Sequence, residues 1–295
     1  MIWKELEISS WREFINEIER LKSKSLIFRG QACTEWLIRS SFIRESKKFI
    51  TSSRVLSENS LMNLEDKMIK LFQSQSHLYT QNAINIDKNN KLYFLSILQH
   101  FGAPTRLLDW TWSPYIAAAF CTCDNFDKDG AIYVINFEYF RNQNLRLIDE
   151  YKNETGKKLE TRTNQSNIVL EFGKHYADLK ERSGKDEPNI EKKILVAYEP
   201  EKKNIRLARQ QGLFLVSSKI NASMDDVIGG YGISDGSVDG NIVAIKIIVK
   251  KEIKVEFLKQ LQLMNITNEI LFPDMEGFCK SLKFKLLMED KNIFI

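Results

Sequence analysis

Residues 98–120 read LQHFGAPTRLLDWTWSPYIAAAF, and this stretch decides the fold class. Leu92, Leu95 and Leu98 set a helical run that Gly102-Ala103-Pro104 breaks, since glycine readily ends a helix and proline cannot continue one. Thr105 to Trp110 follows as a short strand. Ser113 and Pro114 then open another helix, with serine at the cap and proline at the first helical position. Ala117, Ala118 and Ala119 let that helix pack closely. Helix, strand and helix therefore meet in one run and share one core.

The same run is dense in polar groups: His100, Arg106, Asp109, Thr111 and Ser113 stand among apolar neighbours. Arg106 and Asp109 are three apart, so an extended strand sends them to opposite faces and they are not an obvious pair. Trp110 and Trp112, two apart, share a face. The free amides and positive dipole end of the helix at Ser113 suit an anion. The competing reading makes Asp109 and Thr111 turn and cap residues and the tryptophans core.

Outward from this stretch, two further polar clusters adjoin apolar strands. Ser25 to Gly30 reads as a buried strand that ends in Phe28-Arg29-Gly30-Gln31. Arginine is costly to bury. Arg29 is either a surface residue past the strand end or a fork aimed at a phosphate or carboxylate, with Gly30 permitting close approach. The third cluster, Arg206 to Gly212, contains Arg209, Gln210 and Gln211 and leads into a strand at Leu213–Ser217.

Trp11, Phe14, Ile15, Ile18 and Leu21 predict a first helix, with Ser10 and Glu13 as a capping box. Leu61 to Leu78 predicts a longer one. Strands are expected at Ala131–Phe137, Ile194–Tyr198 and Ile242–Lys250, and two closing helices, the last begun by Pro273. Residues 141–193 are the most polar part and read as decoration on a single domain spanning 1–295. Helices and strands mix without strict alternation, so the expected class is α+β.

Composition narrows the function classes. The chain has 295 residues with 43% apolar and 28% charged content, ordinary for a globular fold and wrong for a disordered one. A net charge of +4 permits phosphate or nucleic-acid ligands without demanding them. No apolar run is long enough for a membrane span, and the first residues do not read as a signal peptide. A cytoplasmic protein without membrane partners is expected. Cys33, Cys121, Cys123 and Cys279 are too scattered for a disulfide scaffold, and Cys121-Thr122-Cys123 lacks zinc-site spacing; no metal is expected. The three histidines form no metal pair, and neither a serine-hydrolase elbow nor a P-loop is present.

Taken together, FRGQ at 28–31, QHFGAPTRLLDWTWSPYIAAAF at 99–120 and RQQGLF at 209–214 resemble the FRG domain family in type and order. The stretch at 271–277 is similar to the family's closing motif. The resemblance implies a bacterial or phage setting, often defence or toxin systems, and little settled biochemistry. A second resemblance is to ADP-ribosyltransferases of the arginine-serine-glutamate type. It implies a mixed-sheet core of that fold, decorated with helices, and NAD as substrate. Arg29 fits the first position, and Thr111 and Ser113, followed by Ala117 and Phe120, fit the second. The third falls on Gln210 and Gln211, where a glutamate is expected.

Under that resemblance Arg29, Asp109 and Gln211 are the catalytic candidates, with Asp109 as substitute carboxylate. Gly30, Gln31, His100, Arg106, Trp110, Thr111, Ser113 and Gln210 are the ligand-binding candidates. Arg29 is expected to project into a cleft, and Asp109 to be hydrogen-bonded inside the protein. The leading reading is an NAD- or nucleotide-binding domain with ADP-ribosyltransferase or NAD glycohydrolase chemistry, acting on a protein or nucleic-acid target. The alternative is a non-catalytic module that senses a nucleotide or nucleic acid.

Overall fold

Seven strands build one mixed sheet in the computed structural model, which describes residues 2–21, 25–49, 57–79, 89–157, 162–183, 192–238 and 241–287. In chain order they are β1 (Lys4–Ile8), β2 (Leu26–Gln31), β3 (Leu108–Thr111), β4 (Gly130–Asn136), β5 (Leu195–Tyr198), β6 (Gly212–Ser217) and β9 (Ala244–Val249), with a small ribbon of β7 (Ser237–Val238) and β8 (Asn241–Ile242) apart from them. Their spatial order is β1-β9-β4-β2-β3-β6-β5. β1 runs parallel to β9, and every other neighbouring pair is antiparallel. The fold is α+β.

Helices cover both faces. On one, α1 (Trp11–Leu21), α5 (Pro114–Thr122) and α10 (Lys254–Leu263) pack Phe14, Ala117 and Phe257 against Phe28, Val134 and Ile247. Beside them, α3 (Glu58–Gln75), α4 (Lys91–His100) and α7 (Arg162–Ser183) cover Phe214 and Val216. On the opposite face, α6 (Phe137–Thr155) and α9 (Met224–Gly229) bury Phe140, Met224 and Ile228 against Ile27, Leu108 and Trp110. The strand period of two sends Ile27 and Phe28 of β2 into opposite cores and puts Leu108 and Trp110 of β3 into the same one.

Contact between β2 and α5 is unusually intimate. A Cβ on Gly30 would lie 1.9 Å from the Ala117 carbonyl oxygen and 2.7 Å from the Cys121 nitrogen, both backbone. Glycine at 30 and alanines at 117–119 therefore set how deeply α5 seats on the sheet. Ser113 caps α5 as expected, its side chain accepting from the Ile116 amide at 3.3 Å with Pro114 at the first turn. Gly102, at φ 86°, follows the end of α4, a conformation open to glycine.

Several expectations shift. The strand placed at Thr105–Trp110 begins only at Leu108, because Thr105 and Arg106 are fixed by side-chain bonds in the preceding turn. Ser10 does accept from the Glu13 amide at 3.2 Å, but Glu13 returns to the amide and hydroxyl of Ser9 instead of closing a box with Ser10. Three helices close the described chain: α10, α11 (Asn268–Leu271) and α12 (Met275–Leu287). The last begins at Met275 rather than at Pro273, and Asp274 accepts from the Gly277 amide at 2.7 Å in its first turn. β1 and α2 (Ser41–Phe49) come from segments that sequence reading left unassigned. The polar region 141–193 forms most of α6 and α7 and packs on the sheet; its residues 158–161 and 184–191 lie outside the described ones. No helix among the described residues is long and apolar enough to cross a membrane.

Candidate functional site

β2 pairs with β4 along all six of its residues, but with β3 only through Phe28 and Thr111. Beyond that pair the two strands part. A cleft of about 840 Å³ fills the divergence, lined by Arg29, Gly30 and Gln31 from β2 and Asp109, Trp110 and Thr111 from β3. That volume is in the range of small-molecule sites, roughly 300–1,000 Å³.

Arg29 reaches across the gap. Its Nη1 donates to the backbone carbonyl of Asp109 at 2.5 Å. Burial pushes the guanidinium's pKa down; the Asp109 charge opposes this and the nearby Arg44 charge adds to it. Arginine nevertheless stays protonated, so a charge is held at the cleft floor. Three buried polar atoms here have no partner among the described residues: Arg29 Nε, Trp110 Nε1 and Gln31 Oε1. Buried polar groups are normally satisfied, and leaving one unpaired costs about 1–3 kcal/mol. The residues that carry these two donors and one acceptor all line the cleft.

The opposite wall comes from Arg206, Leu207 and Gln210, on and just after α8 (Ile205–Arg209), and from Phe272 after α11. The Arg206 guanidinium lies 4.5 Å from the Phe272 ring centroid, and Gln210 Nε2 donates to the Leu271 carbonyl at 3.1 Å. Thr111 ties this wall to β3, donating from its hydroxyl to the Gln210 carbonyl at 2.8 Å and accepting from the Ser113 amide at 3.0 Å. Thr111 is thereby a strut; both hydroxyl bonds go to backbone.

Asp109 differs from its expected setting. It is exposed, and its carboxylate accepts from Gln99 Nε2 at 2.8 Å, not from Arg106, from the Arg29 side chain or from the α5 amides. The strand alternation explains this: Asp109 faces away from Trp110 and Leu108, toward α4. Gln99 is in turn bonded by the Thr105 hydroxyl, so the carboxylate is oriented through two side chains that sequence reading did not single out. A shallow depression beside the cleft is lined by Asp109, Gln99, His100 and Arg206. His100 is exposed there. Its pKa is lowered, first by partial burial and then by Arg206, with Asp274 opposing.

The remaining candidates fall outside the cleft. Arg106 is turned to Glu65 of α3, with Nε and Nη2 each 2.8 Å from a carboxylate oxygen, and belongs to the scaffold. Ser113 is buried and spent on capping α5. Gln211 is exposed at φ 43°, its carbonyl accepting from the Trp112 amide at 3.1 Å. That left-handed turn carries its side chain out of the cleft, leaving Gln210 as the glutamine on the wall. Glu199, a carboxylate near the exposed Trp112, accepts from Trp112 Nε1 at 2.8 Å and pairs with Lys203.

Sequence reading also missed the mouth. Trp36, Arg39 and Arg44, from the segment after β2 and from α2, line it. An isolated tryptophan and arginines in a mixed polar stretch gave no periodic signal; only the path of the chain after Gly30 brings them here.

A strand-split cleft in a mixed sheet, floored by an arginine within β2, defines the class of site. Residues 24–130 match the FRG domain family, and the chain carries an FRG domain. The match includes β2, β3 and the mouth; Arg206, Gln210 and Phe272 lie beyond it. No curated protein and no solved structure matches the chain.

Proposed function

We propose that the cleft binds a phosphate-bearing nucleotide, with NAD as the substrate that the chain's resemblance to ADP-ribosyltransferases favours. The observation carrying this reading is the set of buried unpaired atoms on Arg29, Gln31 and Trp110 at the cleft floor. A charged fork suits a phosphate oxygen, and an indole N–H with an amide oxygen suits ribose hydroxyls.

In an ADP-ribosyl transfer the bond between ribose and the nicotinamide nitrogen breaks, its electron pair leaving with the nicotinamide. The ribose carbon becomes oxocarbenium-like, and water or a target nucleophile adds there and loses a proton. Asp109 lines both the cleft and the adjoining depression, where Gln99 holds its carboxylate toward α4; its role in the reaction requires that carboxylate to turn to the sugar, where it would lower the energy of a developing cation. Arg29 holds the phosphates, and Gln31 and Trp110 fix the sugar.

Incubation with NAD, following nicotinamide release, tests the chemistry, and calorimetric titration tests binding. Release is expected in the wild type and is expected to fall on the order of a hundredfold in Asp109→Asn, about two factors of ten at roughly 1.4 kcal/mol each. Release that is unchanged in both Asp109→Asn and Arg29→Ala removes this site from the reaction.

A second reading is a nucleotide sensor without catalysis. It is favoured by Gln211, which is neutral and turned outward where the resemblance expects a glutamate. NAD binding without release, lost in Arg29→Ala, selects it.

A further inference from the structure

Four arginines line the cleft: Arg29 at the floor, Arg206 on the far wall, and Arg39 and Arg44 at the mouth. None pairs with a carboxylate among the described residues, although ion pairs hold many of the chain's other cations. Arg44 Nη1 donates to the Arg39 carbonyl at 2.5 Å, which fixes the two residues relative to each other. The charges of Arg44 and Arg29 act on each other, and Asp109 and then Tyr133 counter them at Arg29. Like charges held together this way oppose one another until an anion enters between them. Beside them Trp36, 51% exposed, presents a large aromatic surface at the mouth, and aromatic surfaces of this kind stack nucleobases.

We infer that Arg39 and Arg44, with Trp36 beside them, form a second phosphate-binding lobe, so that the cleft selects a diphosphate over a monophosphate nucleotide. Arg29 takes the inner phosphate and the mouth arginines the outer one, with the base against Trp36. The inference rests on the nucleotide reading for its occupant but on the arginine geometry for its charge. Gln31 and Trp110, each carrying a buried unpaired polar atom, line the same cleft, which sets it apart from a cluster of surface charges.

The experiment titrates AMP, ADP and inorganic pyrophosphate into the wild type, the Arg39→Ala/Arg44→Ala double variant and Arg44→Glu, with a melting curve for each. ADP is expected to bind at least tenfold tighter than AMP. The double variant is expected to erase that difference and leave AMP unchanged. Arg44→Glu, at an exposed position, serves where the double variant melts early; it is expected to weaken ADP and pyrophosphate but not AMP. Equal affinities for ADP and AMP in the wild type overturn the second lobe, as does an equal loss of both in the variants. Pyrophosphate binding that depends on Arg44, with no binding of either nucleotide, keeps the lobe and removes the nucleotide reading. Nucleotide binding without the diphosphate preference keeps that reading and removes the lobe. No binding of any probe removes both.

Discussion

Arg106 and Arg29 lie at opposite ends of one contrast. Both are arginines inside the sheet region, and both attract attention in the sequence as charges among apolar residues. Arg106 meets a bidentate carboxylate, Glu65, and both side chains are only 4% exposed. Arg29 meets one backbone carbonyl and no carboxylate, while each arginine keeps one buried nitrogen unpaired, Nε of Arg29 and Nη1 of Arg106. The charge of Arg106 is paired with a carboxylate within the chain, and that of Arg29 has no ion-pair partner among the described residues. Partner chemistry, not burial, separates scaffold from site here.

The largest effect expected from this contrast is on stability. Glu65→Ala strands the Arg106 charge in the interior, and losing one partner of a buried pair costs about 3–5 kcal/mol. Urea denaturation reads it. Replacing both members with apolar residues, Glu65→Leu with Arg106→Met, is expected to recover most of the loss, since the penalty belongs to the unpaired charge. A double variant as unstable as the single one would mean that the pair itself supplies the stability.

Gly30→Ala comes next. The new methyl would meet the backbone of Ala117 and Cys121, which cannot rotate away as a side chain can. Overpacking of this kind costs typically about 1–3 kcal/mol. The fold around β2 should loosen, so any ligand binding is expected to fall together with the melting temperature. Arg29→Ala, in contrast, is expected to remove ligand binding and leave the melting temperature nearly unchanged. If it destabilises the protein as much as Glu65→Ala does, Arg29 is scaffold as well and the contrast collapses.

The same contrast explains what the sequence shows and what it hides. β2, α4, α5 and β6 are legible because their apolar period and their caps are local: Ser113-Pro114 and Gly102 act within one turn. β1 is not legible. It is a short charged edge strand, Lys4-Glu5-Leu6-Glu7-Ile8, paired with residues 245–249 far along the chain. At the cleft, Arg29, Gly30, Gln31, Trp110 and Thr111 are legible as a polar cluster adjoining apolar strands. Which of the polar residues share one space is not, because that depends on how far β2 and β3 diverge. Arg106 fails for that reason: three residues from Asp109 along the chain, it is claimed by a helix partner 41 positions back. Gln211 fails because a single left-handed residue turns it outward while its neighbour stays on the wall.

The smallest effect sharpens the contrast at its unpaired end. If the cleft arginines lack counter-charges, a basic group beside them is harder to protonate. His100 is such a group: burial and then Arg206 hold its pKa below the ordinary value of 6.5. Its neutral form therefore contributes stability that is present above about pH 6.5 and lost as pH falls through the lower folded value, where the unfolded chain binds the proton more readily. His100→Gln is expected to flatten slightly the fall in urea midpoint between about pH 7.5 and 5.5, a modest change because the ring is exposed. With only three histidines in the chain, the ring is also a tractable reporter for magnetic resonance. An anion seated against Arg206 removes part of the repulsion and favours the imidazolium, so added ADP should move the His100 titration upward. Arg206→Gln should do the same without ligand. A His100 titration indifferent to both would mean that the Arg206 charge is already neutralised, and that this wall of the cleft belongs with Arg106 rather than with Arg29.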